Sequence, residues 1–242
     1  MIEDLLKYAV GWDLLKNDHK IEDARSTVHK SVEGLKDSCL LLDGKNNGTV
    51  KMHDVIRDVV INIAAEERHM FTIRTVDELQ TRSKRKNTVA ISLPYINDDL
   101  DLPNQFECSK LELLLLFRQK EGFRFRQKGF RKESKDTVAI PDSFFEGLKD
   151  LKVLKLSGSW YEVLLLPSSL SSLENLQTLC LDGEVQNAII IGELKNLKAL
   201  SLSLSNTERL PEEIGQLTHL QLLDLRECSK LKFLPSNVLS NL

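Results

Sequence analysis

The sequence predicts an α+β chain in two parts: a winged-helix module over residues 1–75 and an α/β leucine-rich-repeat solenoid, or horseshoe, over residues 89–242, joined by a linker at 76–88. A recurring leucine spacing and a proline rhythm of the same period predict the solenoid. The order helix, helix, hairpin, helix ahead of the repeats predicts the module.

Leu148, Leu151, Leu154 and Leu156 make the pattern LxxLxxLxL. It returns at Leu173, Leu176, Leu179 and Leu181, at Leu194, Leu197, Leu200 and Leu202, and at Leu217, Leu220, Leu223 and Leu225. The last leucines of these sets are 25, 21 and 23 residues apart. Cys108, Leu111, Leu114 and Leu116 form a weaker copy, and a degenerate one ends in Ile91 and Leu93, giving about six repeats. Five prolines follow Leu or Ile in the intervals: Pro103, Pro141, Pro167, Pro211 and Pro235.

This spacing has a physical cause. The LxL pair is a short strand whose alternate side chains point into the solenoid, and the two preceding leucines close a turn onto the same core. Proline suits the return segment, where its missing N–H interrupts no ladder. One repeat cannot bury its own leucines, but stacked repeats can, and each buried leucine is worth roughly 1.5–3 kcal/mol. A coiled coil is excluded, because the prolines would break such helices every two dozen residues.

Alternation leaves an outward row on each strand: Val153, Lys155 and Ser157; Thr178, Cys180 and Asp182; Ala199, Ser201 and Ser203; Leu222, Asp224 and Arg226. Its polar members Lys155, Thr178, Asp182, Ser201, Ser203, Asp224 and Arg226 are the candidate partner-binding surface, with solvated strand positions as the plain alternative. Few aromatic residues mark a hot spot there.

In the module, residues 2–15 carry Leu5, Leu6, Ala9 and Val10 at helical spacing, and residues 21–36 place Ala24, Val28, Val32 and Leu35 on one face. Residues 38–43 and 50–52 read as strands around Asn47-Gly48, strong hairpin-turn chemistry. A helix over 54–67 carries Val55, Val59 and Ile63 on one face, with Ile56 and Val60 beside it. A winged helix often binds DNA. Here Arg25, His29, Lys30 and Lys36 are offset by Glu22, Asp23, Glu33 and Asp37, a poor surface for tracking phosphates.

Composition narrows the function classes. Of 242 residues 41% are apolar, enough for a sizeable core, and the formal net charge of −3 gives no general pull towards nucleic acid or anionic membrane. Cys39, Cys108, Cys180 and Cys228 form no CxxC pair, which argues against a disulfide framework or zinc site. The acidic start Met-Ile-Glu-Asp is unlike a signal peptide, and no apolar run is long enough to span a bilayer. A reducing, cytoplasmic setting is the expectation, with the nucleus or the membrane periphery as alternatives.

The stretch Val50-Lys-Met-His-Asp-Val-Ile-Arg-Asp-Val59 resembles the MHD segment of plant nucleotide-binding leucine-rich-repeat disease-resistance proteins. The preceding Leu35-Lys-Asp-Ser-Cys-Leu-Leu-Leu-Asp43 and the repeats resemble the coiled-coil class of these receptors, and the likeness covers essentially the whole chain. The resemblance implies an immune receptor whose winged-helix domain closes over ADP bound to a preceding ATPase (NB-ARC) module, with ATP exchange releasing it. Carried over, His53 senses a nucleotide phosphate, Asp54 shapes the turn and Met52 anchors it in the core. Asp54 is also a good helix N-cap, which would set His53 where the helix dipole favours an anion. The implied partners are a pathogen effector or guarded host protein and, within the receptor, the upstream NB-ARC module.

The family's phosphate cradle GxxxxGK[ST] is absent from the sequence, and Gly44-Lys-Asn-Asn-Gly48 lacks its spacing. The chain is therefore expected not to be an enzyme and not to hold ADP or ATP tightly alone. Leu239-Ser-Asn-Leu242 begins another repeat and stops, and Met1 opens inside the module, so the sequence reads as a truncated product or a fragment of a longer reading frame. Arg82–Lys86 reads as a solvated linker, with nuclear import as the alternative. A long basic loop near 117–136, containing Phe-Arg-Gln-Lys twice, reads as a duplicated loop, with an RNA or acidic partner as the alternative. Two other functions compete with the receptor: a repeat scaffold without a nucleotide switch, and a nucleic-acid-binding winged-helix protein.

Overall fold

The computed structural model describes residues 1–15, 20–83, 87–96, 102–118, 136–157, 162–203 and 207–239. Its spine is a seven-stranded parallel sheet of β3 (Met70–Thr72), β4 (Ala90–Ile96), β5 (Leu113–Arg118), β7 (Val153–Ser157), β9 (Thr178–Asp182), β11 (Ala199–Ser203) and β12 (Leu222–Asp224), in sequential order. A smaller parallel sheet stacks β6 (Asp136–Ala139), β8 (Glu162–Leu165) and β10 (Glu184–Gln186) further along successive coils. Ahead of the main sheet come α1 (Ile2–Gly11), α2 (Ile21–Asp37), the hairpin of β1 (Leu41–Asp43) and β2 (Val50–Met52), α3 (Asp54–Arg68) and, between β3 and β4, α4 (Val76–Ser83).

The leucine spacing becomes register. Leu114, Leu154, Leu179, Leu200 and Leu223 are direct partners across adjacent strands, as are Leu116, Leu156, Leu181 and Leu202. All but the half-buried Leu223 are buried in one continuous core. Prolines open the return segments. Pro167 and Pro211 precede 3-10 turns at Ser168–Ser172 and Glu212–Gln216, and their carbonyls accept from Leu170 N and Ile214 N at 3.1 and 3.2 Å. The residue before each proline is buried at Leu102, Ile140, Leu166 and Leu210, whereas Leu234 is exposed. Phe106 stacks on Phe144 at 5.3 Å, and Phe145 meets Phe144 edge-on at 5.0 Å, filling the core between the β4–β5 and β6–β7 returns.

A side-chain ladder also closes the turns. Asn175 and Asn196 donate from Nδ2 to the carbonyls of Lys149 and Glu174 at 2.9 and 2.8 Å, and His219 Nδ1 lies 3.0 Å from the Lys195 carbonyl. Each bond satisfies a backbone group of the coil before it, where a parallel stack has no hairpin to do so.

The structure moves the expected boundary. Met70–Thr72 pairs with β4, so the sheet begins inside the segment assigned to the module rather than at residue 89. Residues 76–88 are not merely a linker: α4 contributes Leu79, fully buried in the solenoid core with Phe71 and Ile73. The basic run 82–86 has its last three residues outside the described residues, and residues 119–135 of the basic loop also lie outside them.

In the N-terminal part, α2 buries Ala24, Val28 and Val32 against α1. The hairpin pairs Leu41 with Met52 and Asp43 with Val50, turning through Gly48 at φ +71°, a left-handed conformation that glycine adopts without a Cβ penalty. Helix α3 packs on β3 and ends at His69 in the left-handed region. None of its residues is buried, and Val55, Val59 and Ile63 stand exposed.

Candidate functional site: the outer face of the sheet

From β4 onward, the first outward position of each strand forms one row: Ala90, Leu113, Val153, Thr178, Ala199 and Leu222. The second runs Ser92, Leu115, Lys155, Cys180, Ser201 and Asp224. The candidate partner-binding surface is largely covered within the chain. Helix α1 lies across it, and every member of the first row is buried. Ile2, Leu6 and Ala9 pack with Ala199 and Leu222, while Tyr8 and Trp12 pack on Ala90, Leu113 and Val153. The cause is compositional: a row of small and apolar side chains gains from exclusion of water, and an amphipathic helix ten residues long supplies the matching face.

Polar contacts set where the helix lies. Lys7, with 3% of its side chain exposed, reaches Asp224 Oδ2 at 2.8 Å, Asp4 Oδ1 at 2.9 Å and Ser201 Oγ at 3.1 Å. Thr178 Oγ1 donates to the Lys7 carbonyl at 2.8 Å. At the far end Trp12 Nε1 donates to Glu112 Oε2 at 2.6 Å, and Asp13 accepts from Lys198 Nζ at 3.0 Å and Gln177 Nε2 at 3.1 Å. Between them the chain comes so close that a Cβ on Gly11 would collide with the Thr178 side chain.

The charges are tuned by these neighbours. Burial alone would raise the Asp224 carboxyl, but hydrogen bonds from Arg226 and Lys7 hold it well below the ordinary carboxylate range. Burial would lower Lys7, yet its hydrogen bonds to the Asp224 and Asp4 carboxylates leave it raised. Burial pushes the Cys180 thiol up to about 12, which keeps it a neutral, unreactive part of the surface.

The candidate partner-binding residues thus separate into groups. Thr178 and Ser201 are fully buried beneath α1, and Asp224 is held by Lys7 and by Arg226, whose Nη2 lies 2.7 Å away. Lys155 is also buried, pairing with Asp182 at 3.0 Å and lying 5.3 Å over the Phe117 ring. Asp182 and Ser203 are half-buried, and Arg226 is exposed at the rim.

Met52, His53 and Asp54 lie where the hairpin meets α3. Met52 is half-buried rather than a core anchor. The cap is His53, not Asp54: His53 Nδ1 accepts from Val55 N at 3.4 Å. Asp54 is the first helical residue, and its carboxylate pairs with Arg57 at 2.9 Å. The shift follows from the extended backbone of His53, whose carbonyl accepts the first turn's bond from Arg57 N at 2.9 Å.

Among the described residues no group of His, Cys, Asp and Glu is arranged to hold a metal, and no helix is long and apolar enough to cross a membrane.

No protein-family model matches the chain. Its homologues are plant disease resistance proteins. A disease resistance protein of Arabidopsis thaliana is 27% identical over 250 residues, covering 100% of the chain and 24% of the relative. A probable disease resistance protein of the same plant is 30% identical over 190 residues, covering 74% of the chain and 18% of the relative. The chain therefore spans about a fifth to a quarter of these relatives. Among solved structures, the leucine-rich-repeat ectodomain of the plant membrane receptor kinase GASSHO1/SCHENGEN3 from Arabidopsis thaliana is 22% identical, covering 59% of this chain and 19% of its own, with a TM-score of 0.39.

Proposed function

We propose that this chain is the switch-to-sensor junction of an intracellular plant immune receptor of the coiled-coil class, acting in the cytoplasm by binding rather than catalysis. Residues before β3 belong to a winged-helix part of a nucleotide-gated switch, and the repeats form the surface that senses a pathogen effector or a guarded host protein. The observation that carries the reading is α1 lying across the outer face of the sheet. The module and the recognition surface occupy each other, as an autoinhibited receptor requires, and a ligand with higher affinity for the uncovered face would shift that equilibrium.

The nucleotide enters through His53. Its Nδ1 accepts from Val55 N, so a neutral imidazole carries its proton on Nε2, a donor suited to a phosphate oxygen. The N-terminus of α3 adds a favourable dipole. This is one donor and one helix end, which fits a sensor of ADP or ATP held by an upstream NB-ARC module and falls short of a complete site. The exposed Val55, Val59 and Ile63 stripe is the face available to that module.

The test replaces the matched segment of a full-length Arabidopsis thaliana relative with this chain. His53→Val is expected to trigger the defence response without ligand, because losing the phosphate contact loosens the ADP-held state. A silent His53→Val would leave a repeat scaffold without a switch.

A further inference from the structure

We infer that α1 is a tethered occupant of a helix-binding surface, and that the external partner of the sheet's outer face is a helical peptide of the same chemistry. That chemistry is specific: a cation at the Lys7 position, a small residue four positions later at Gly11, and an anion two further on at Asp13. The inference rests on the reading of the repeats as a recognition surface and adds the class of partner.

The requirements come from three neighbouring coils, at β9, β11 and β12 and at the residues just before β9 and β11. Asp224 of β12 and Ser201 of β11 receive the cation at 2.8 and 3.1 Å. Thr178 of β9 demands the small residue, since any Cβ at Gly11 collides with it, and also donates to the helix backbone at 2.8 Å. Lys198 and Gln177 receive the anion at 3.0 and 3.1 Å. A cation on the helix and an anion two residues beyond its last residue, in the turn that follows, fix its direction as well as its position, because a reversed segment would bring Lys7 to Lys198 and Asp13 to Asp224.

The fit of α1 is incomplete. Among the described residues, Gln177 Oε1 is the buried side-chain oxygen left without a hydrogen-bond partner, and it lies under the end of this helix. A ligand that offers a donor there binds a surface that α1 only partly satisfies. Tethering compensates: α1 is part of the same chain, so it returns to the face intramolecularly, and the covered state persists until a better helix arrives.

The experiment uses the full chain and a fluorescent peptide of residues 1–15, with binding read by anisotropy. Gly11→Leu in the chain evicts the tethered helix, and the peptide should then bind at least tenfold tighter than it binds the unsubstituted chain. A Lys7→Glu peptide should lose that gain and recover it on a chain carrying both Gly11→Leu and Asp224→Lys. If circular dichroism shows that Gly11→Leu disrupts the fold, a Lys7→Glu/Asp13→Lys chain evicts the helix by charge alone and carries the same expectation. Equal peptide binding to native and evicted chains, no binding to either, or binding indifferent to the Asp224→Lys exchange would overturn the inference. That failure would leave the receptor reading to the His53→Val test, and a silent His53→Val would leave the peptide result standing.

Discussion

Helices α1 and α3 begin as the same kind of object and end differently. Both are amphipathic, and both lie in the N-terminal part of the chain. Helix α1 buries Ile2, Leu6, Lys7 and Ala9 on the sheet, whereas α3 buries nothing and leaves Val59 51% exposed. The difference is that α1 meets a surface with matching side chains and charges, while α3 packs on β3 and sets only a half-buried Ala65 against the solenoid core among its described contacts. An apolar stripe states that a helix gains from a partner. It does not state which partner or where.

The comparison can be broken most severely from underneath. Leu200 supports the sheet on which α1 lies, and it is fully buried. Leu200→Ala should cost about 2–5 kcal/mol by the lost burial and the cavity left behind, measured by urea unfolding. A smaller loss would mean that the stacked core collapses to fill the site.

Next in size is the latch. Lys7→Ala removes the cation shared by Asp4, Asp224 and Ser201 and should cost about 2 kcal/mol, since carboxylates that are mostly buried lose a charged partner. Hydrogen exchange of α1 amides should rise more than that of β9 amides. Equal changes would mean that helix and sheet unfold together.

Acidity sharpens the same contrast. Asp224 and Asp4 have pKa values held below their ordinary 3.8, so their contribution is complete above that value and is lost as pH falls through the folded values. Lys7 is raised above its ordinary 10.5, so its contribution is complete below that value and is lost as pH rises through the folded value. Docking of α1 should be constant between about pH 4 and pH 10 and weaken outside that window. Exchange of α1 amides, corrected for the intrinsic pH dependence, reads this, and a change centred near neutrality would contradict it.

The smallest effect belongs to α3. Val59→Ser should change the stability of this chain by no more than about 0.5 kcal/mol, because the side chain is already in water. A loss above 1 kcal/mol would mean that the stripe is covered in solution.

Much of the solenoid was legible because its signal repeats. Leu179, Leu200 and Leu223 recur in phase, and one-dimensional stacking turns phase directly into register. The asparagine ladder could also have been read, since Asn175, Asn196 and His219 each precede a repeat leucine. The start of the sheet was harder. Met70-Phe71-Thr72 is too short to carry a period, and it becomes a strand because β4 offers an open edge. The surface under α1 had a signal that went unused: Ala90, Leu113, Val153, Thr178, Ala199 and Leu222 are too small and apolar for a solvated row. His53 was placed correctly at a helix start, but the cap moved by one residue because backbone conformation, not side-chain preference, selects the N-cap.

By itself the sequence determined the inward half of the molecule, since a leucine on a repeating strand has only the solenoid interior in which to leave water. The outward half was decided by tertiary structure. Which helix covers the sheet depends on contacts between Lys7 and Asp224, 217 residues apart, and between Gly11 and Thr178. No local pattern encodes such pairs, because their energy exists only after both partners have been brought to the same place.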